Sequence, residues 1–267
     1  MQPSDPVGHN RSAWNQMARQ RNRFARPARD EDFVDPLRSV DGPGWLGGDI
    51  KGKRVLCLAA GGGRQGPMYA AAGGIVTVLD ISGEMLELDR QVAHQRNLEI
   101  RVVEQSMDDL TCFDAESFEI VIQPVSTCYV PDILNVYRQI ARVMAPGGVY
   151  ISQHKQPVSL QVDSQGGSAY RLDAHYYRRE PLPPAQTASL VREAGTLEYI
   201  HRWQELIGGM CSAGFAIEDL TEPLHADPAA EPGSFGHRSH FVAPYVRIKA
   251  RRTSQAVDFP AIWTPET

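Results

Sequence analysis

The sequence predicts an α/β chain built on a doubly wound, mostly parallel seven-stranded sheet, with an antiparallel C-terminal strand and an insertion after the fifth strand. Three observations predict it. Between residues 54 and 152 short apolar runs alternate with amphipathic stretches. The first apolar run ends directly in glycines. The last two apolar runs, 215–220 and 241–250, are joined by a long loop without helical periodicity, a connection more natural to an antiparallel pair than to another crossover.

In chain order, residues 1–10 read as a loose tail. Ser12 to Phe24 reads as a helix, with Ser12 as N-cap and Pro27 as its stop. Residues 41–50 hold Gly42, Gly44, Gly47, Gly48 and Pro43 and are loop. Arg54 to Ala59 is a continuous apolar run, the mark of a strand covered on both faces. A short helix over 66–72 and a strand over 75–79, closed by Asp80, follow. Ser82 caps a helix to Gln95 with Met85, Leu86, Leu88 and Val92 on one face. Strands are expected at 98–103 and 118–122. A helix over 132–144 should stop at Pro146-Gly147-Gly148, before a fifth strand at 149–152. Residues 157–196 break the rhythm with Pro181, Pro183 and Pro184 and read as an insertion with one strand. Leu197 to Ser212 reads as a helix.

Composition sets limits. With 267 residues, 42% of them hydrophobic and 22% charged, the chain can bury a full core, which excludes disorder as its main state. It divides into a helical cap (12–50), a cofactor-binding core (51–156), an insertion or lid (157–196) and a C-terminal helix and strand pair (197–250). The net charge of −5 disfavours a generally basic nucleic-acid binder. Arg19, Arg21, Arg23, Arg26 and Arg29 crowd one segment, either as a solvated helix face or as a local anion or RNA contact. The four cysteines lie far apart with no C-x-x-C pair, which excludes a zinc ribbon and a disulfide scaffold and suits a cytoplasmic protein. There is no secretory pattern at residues 1–6 and no apolar run near the ~20 residues of a membrane helix. His237-x-x-His240 sits in a Gly/Ser loop, and no metal site is expected from it.

Gly61-Gly62-Gly63-Arg64-Gln65-Gly66 follows the first strand, where backbone must approach a ligand closely and the next helix opens with unpaired N–H groups. Asp80, nineteen positions after Gly61, ends the second strand, where a carboxylate can accept from both hydroxyls of a ribose. Dinucleotides and S-adenosylmethionine both use this arrangement. About fifty residues before the first strand, and the antiparallel end, favour S-adenosylmethionine.

These residues resemble a class I S-adenosylmethionine-dependent methyltransferase of the small-molecule group called type 11. Val55-Leu56-Cys57-Leu58-Ala59-Ala60-Gly61-Gly62-Gly63 stands where that family has V-L-D-L-G-C-G-T-G. Leu79 to Leu86, Gln105 to Leu110, Ser117 to Val121 and Ile140 to Gly148 are similar to its later motifs, in order. The chain departs from the pattern at Cys57, Ala59 and Ser106. The resemblance implies a Rossmann-like methyltransferase fold and S-adenosylmethionine as cofactor, with S-adenosylhomocysteine as product. It places Ala59, Ala60, Gly61 and Gly63 beneath the methionine part and the ribose. Asp80 would hold the ribose hydroxyls, Ile81 and Met107 would flank adenine, Asp108 would accept from its amine, and Gln123 would present its backbone to the methionine amino group.

A methyl group on sulfonium is already activated, so alignment matters more than a fixed catalytic motif. Candidates for a base, or for facing the substrate, are His154 past the fifth strand, His201 near the start of the helix before the sixth strand, and Tyr129 after the fourth. Tyr176, Tyr177 and Arg178 are candidates for a lid. A small organic acceptor is expected, with no membrane and no nucleic acid as partner and a homodimer left open. The competing readings are an NAD(P)-dependent oxidoreductase, an RNA methyltransferase acting through the arginine cluster, and a non-catalytic cofactor-binding protein.

Overall fold

The computed structural model describes residues 5–163, 169–185 and 191–253. Parts of the expected tail and insertion (1–4, 164–168, 186–190) lie outside the described residues, as does the C-terminal stretch 254–267.

Two helices precede the sheet, α1 (Pro6–Arg19) and α2 (Pro36–Val40). Then come β1 (Arg54–Leu58), α3 (Gln65–Ala71), β2 (Ile75–Asp80), α4 (Gly83–Gln95), β3 (Ile100–Glu104), β4 (Phe118–Gln123), α5 (Ile133–Val143) and β5 (Met144–Lys155). After α6 (Pro157–Gln161), the two-residue strands β6 (Val162–Asp163) and β7 (Arg171–Leu172) pair with each other. A π-helical segment, Gln204–Gly208, runs into α7 (Gly209–Ser212); β8 (Phe215–Thr221), α8 (Phe235–Arg238) and β9 (Tyr245–Arg252) follow. The seven-stranded order is β3-β2-β1-β4-β5-β9-β8. β1 to β5 are parallel, and β9 runs antiparallel to both β5 and β8. The expected architecture is the one observed.

Alternation within β1 shows why the run is apolar throughout. Val55 and Cys57 belong to the core under α3, α4 and α2, with Val76, Val78 and Leu86. Leu56 and Leu58 belong to the opposite core, with Tyr137 and Ile140 of α5 and Met210 of α7. Both faces are covered from Val55 to Leu58, so no position there is free to be polar, while Arg54 at the start of the strand is exposed. Ser82 caps α4 through its Oγ, which accepts from the Met85 N–H.

Four expectations are corrected. The helix at the N-terminus is not capped by Ser12: Asp5 caps it, Pro6 opens it, and it ends at Arg19. Pro146-Gly147-Gly148 does not stop α5 in a turn. The chain enters β5 at Met144, and these residues form an irregularity in the β4–β5 register, Gly147 at φ +78°. The insertion carries a strand pair, not one strand. Residues 197–202 are not helical; Asn10 of α1 holds the Leu197 N–H and C=O, so the backbone there pairs with a side chain instead of with its own helix.

Candidate active site

The sheet order reverses between β1 and β4, so a crevice opens outside their carboxyl ends. A cavity of about 410 Å³ fills it, within the range of small-molecule sites. Its floor is the glycine turn. Ala59 adopts φ +48°, a left-handed conformation costly for a residue with Cβ, and Gly62 and Gly63 continue at φ +124° and +74°. Gly61 makes room for a carboxylate: a Cβ there would meet Asp80 Cγ at 3.1 Å and Met85 Cβ at 2.8 Å.

Two buried carboxylates hold this turn. Asp80 Oδ2 accepts from the Gly61 N–H at 2.9 Å, and its Oδ1 from the Ser82 N–H at 2.9 Å. Asp89 of α4 accepts from the Gly62 N–H through Oδ2 at 2.8 Å, and among the described residues its Oδ1 has no hydrogen-bond partner. Burial pushes the Asp80 carboxyl up to about 6 against the pull of three backbone N–H groups. Burial likewise pushes Asp89 up to about 7. Asp80 also lines the cavity, and a carboxylate that has taken two bonds keeps lone pairs for ribose hydroxyls.

Of the residues expected to bind cofactor, Ala59, Ala60, Gly61, Asp80, Ile81 and Met107 line the cavity. Three do not. Gly63 turns its carbonyl to the Ala28 N–H, and the Asp108 carbonyl accepts from Asn135. The Gln123 side chain is buried among Ser126, Met107 and Tyr150, and the residue lines a separate cavity of about 270 Å³ with Ser152 and Arg247.

The proposed bases separate in the same way. His154 is fully buried off the cavity, its Nδ1 and Nε2 bonded to the hydroxyls of Thr127 and Ser152 at 2.9 and 2.7 Å. Burial drives its pKa down to about 3, so it stays neutral. His201 is also off the cavity. Its Nε2 donates to the carbonyls of Thr127 and Val130, both at 3.0 Å, and burial lowers its pKa against those bonds. Both histidines pin the loop after β4. Tyr129 does line the cavity, but its hydroxyl donates to Glu193 Oε2 at 2.6 Å, and burial pushes its pKa up. Tyr176, Tyr177 and Arg178 do not reach the cavity: Tyr177 is exposed, and Arg178 donates to the carbonyls of Glu180 and Pro181.

Several lining residues escape sequence reasoning. Trp14, Arg23, Phe24 and Arg26 come from the N-terminal segment, Gln153 from β5, Glu193 from the insertion and Tyr245 from β9. Two of the five clustered arginines thus face the cavity, whereas Arg19 pairs with Glu84 and Arg29 with Glu31. The one usable signal was their nearness in sequence. A larger open depression of about 950 Å³ lies at the amino edge of β2, β3 and β4, away from the glycine turn.

A seven-stranded sheet of this order, with a glycine turn after β1 and a buried acid ending β2, defines the class I S-adenosylmethionine-dependent methyltransferases. The residues fit that cofactor through the cavity, the turn and the acceptor capacity of Asp80; bound, it supplies a methyl group activated on sulfonium. The family model described as a methyltransferase domain matches residues 56–152. The chain is 34% identical over 231 residues to the uncharacterized methyltransferase YbaJ of Bacillus subtilis (strain 168), covering 81% of this chain and 90% of that one. It belongs to this methyltransferase family, as an S-adenosylmethionine-dependent enzyme. It is also 28% identical over 152 residues to a ubiquinone biosynthesis O-methyltransferase of Xanthomonas oryzae pv. oryzae (strain PXO99A), across 55% of this chain and 63% of that one. An S-adenosylmethionine-dependent methyltransferase from Mesorhizobium loti shares the fold, with a TM-score of 0.63 at 22% identity over 79% of this chain and 97% of that one.

Proposed function

We propose that this methyltransferase acts on a small organic acceptor, which enters the cavity beyond the glycine turn and attacks the activated methyl group in line. The observation that carries this reading is the form of the cavity. It continues from Asp80 and Ile81 to an aromatic end walled by Trp14, Phe24, Tyr129 and Tyr245, and α1 closes over it. Space of about 410 Å³ suits a compact ligand beside the cofactor, not a macromolecule. The acidic net charge supports the same reading against RNA. Four free thiols, with Cys112 exposed, support a reducing compartment such as the cytoplasm.

In this reading Asp80 and the turn hold the nucleoside, Ile81 and Met107 flank its base, and Tyr129 shapes the acceptor end. The chain's contribution is alignment and exclusion of water, worth roughly 7–11 kcal/mol in favourable cases. Calorimetry tests it: S-adenosylhomocysteine should bind at one site per chain, and NAD(H) and RNA should not compete. Tight NAD(H) binding without S-adenosylhomocysteine binding would overturn it.

A further inference from the structure

At the aromatic end the cavity wall carries one buried carboxylate, Glu193, brought in by the insertion. It belongs to a group of four buried or half-buried charges. Lys155 of β5 bonds both Glu193 and Glu198, the latter at 3.1 Å, and Arg192 lies 3.4 Å from Glu198. Two cations and two carboxylates cancel. Burial pulls the Lys155 pKa down, but the two carboxylates beside it hold it above the ordinary lysine value. Glu193 therefore stands beside a fixed positive charge.

The bonds to Glu193 are one-sided. Tyr129 Oη donates to Oε2 at 2.6 Å, and Lys155 Nζ donates to the same oxygen. Among the described residues nothing donates to Oε1, and it is not a sealed-in orphan. A cavity-lining carboxylate with one oxygen already bonded and the other without a donor keeps an acceptor to offer a ligand. Around it stand the rings of Trp14, Phe24, Tyr129 and Tyr245, with Trp14 and Tyr129 edge to face at 5.5 Å. Such walls favour a flat ring.

We propose that Glu193 is the acceptor-facing catalytic residue of this chain, and that the acceptor is an aromatic ring bearing an O–H or N–H group. The proposal rests on the small-acceptor reading above. The acceptor's hydroxyl or amine donates to Glu193 Oε1. As the oxygen or nitrogen forms its bond to the methyl carbon, its proton passes to Oε1. The carbon–sulfur bond breaks with its electron pair left on sulfur, giving S-adenosylhomocysteine. Charge balances within the cavity, because a sulfonium and a carboxylate become a thioether and a carboxylic acid in one step. Lys155 stays bonded to Oε2, the oxygen that takes no part in the transfer.

The probes are catechol, o-phenylenediamine and benzoate, with Glu193→Gln and Glu193→Asp as variants. Calorimetry with S-adenosylhomocysteine saturating should show catechol or o-phenylenediamine bound to wild type, with affinity reduced at least tenfold in Glu193→Gln. Turnover of those acceptors should fall 10²–10⁴-fold, with S-adenosylhomocysteine affinity within twofold of wild type. Glu193→Asp keeps the charge beside Lys155 but withdraws the carboxyl from the cavity. It should fold like wild type and lose turnover similarly, which covers the case in which Glu193→Gln fails to fold. Turnover within threefold of wild type in either folded variant overturns the role of Glu193. Binding of neither aromatic donor, or methylation of benzoate alone, overturns the acceptor class. Loss of S-adenosylhomocysteine binding by the wild type would overturn the underlying reading instead.

Discussion

Replacing Asp80 by Asn tests the site at its most connected atom pair. Asp80 receives two backbone N–H groups, one on each oxygen, both at 2.9 Å. An Asn side chain has one accepting oxygen, so its amide must face either the Gly61 or the Ser82 N–H. One charge-assisted bond is lost, worth about 1.5–3 kcal/mol, and the turn is displaced from the ribose position. That corresponds to S-adenosylhomocysteine binding roughly 10- to 150-fold weaker at pH 8. The pH dependence has a definite sign. The Asp80 carboxyl is pushed up to about 6, so it is ionised at pH 8 and protonated at pH 5. Wild-type affinity should fall as pH drops through 6, and Asp80→Asn should lose most of that decline. Folding stability runs the other way. A carboxyl raised on folding favours the folded state at low pH, and that contribution disappears as pH rises through about 6. The cofactor-induced rise in melting temperature should therefore be larger at pH 8 than at pH 5. Calorimetry and thermal melts at both pH values read all three quantities. A dissociation constant within twofold of wild type, or an unchanged decline below pH 6.5, would refute the reasoning.

Three further outcomes follow from the same geometry. Asn10→Ala removes three bonds, to the Tyr129 carbonyl and to the Leu197 carbonyl and N–H, worth together about 2–4 kcal/mol; the melting temperature should fall and amide exchange over α1 should quicken. Gly63→Ala forces a side chain into φ +74°, with its Cβ 2.9 Å from the Leu88 carbonyl, and should cost at least about 2 kcal/mol, read by urea unfolding. Asp89→Asn removes a burial penalty of about 4 kcal/mol at pH 8, for a carboxyl raised to about 7, and leaves an unpartnered amide costing about 1–3 kcal/mol. The ligand-free variant should be more stable than wild type at pH 8 and lose that advantage at pH 5; equal melting curves at pH 8 would refute it.

The sheet was legible because its central strands β1, β2 and β4 are buried almost throughout, and β1 and β2 are closed by glycine and aspartate. β1, β2 and α4 follow from Val55 to Leu58, from Asp80 and from Ser82 without tertiary information. The end of the cavity at the glycine turn is legible for the same reason, since turn and acid follow one another in chain order. Its aromatic end is built from side chains far apart in sequence. Trp14, Gln153, Glu193 and Tyr245 come from four elements and share no spacing that a sequence displays. The histidines misled because edge position says nothing about direction. His154 lies at the carboxyl edge of the sheet, as expected, but within β5, and its ring is buried against Thr127 and Ser152. The helix expected over 197–212 is present only from Trp203 onward, because Asn10, almost two hundred residues away, claims the backbone at Leu197.

The departure at Cys57 explains how the turn is held in this chain. The resemblance expects an acid there, on β1. Cys57 is wholly buried and burial pushes its thiol far up, so it supplies no negative charge. A carboxylate nevertheless meets the turn, from α4: Asp89 takes the Gly62 N–H while Asp80 takes that of Gly61. Successive N–H groups of the glycine turn are thus fixed from two different elements. One of them, α4, is itself tied to α1, through Arg19 to Glu84 and through the Ser82 hydroxyl to Asn15. Any displacement of α1 is felt by the helix that carries Asp89. In a chain with the acid on β1, the turn would be braced by the rigid centre of the sheet. Here it is braced by Asp80 at the end of β2 and by the helix that the N-terminal segment rests on, and that segment also supplies Trp14, Phe24, Arg23 and Arg26 to the cavity wall. The N-terminal segment therefore reaches the glycine turn by two routes, through α4 and Asp89 and through the Ala28 N–H on the Gly63 carbonyl.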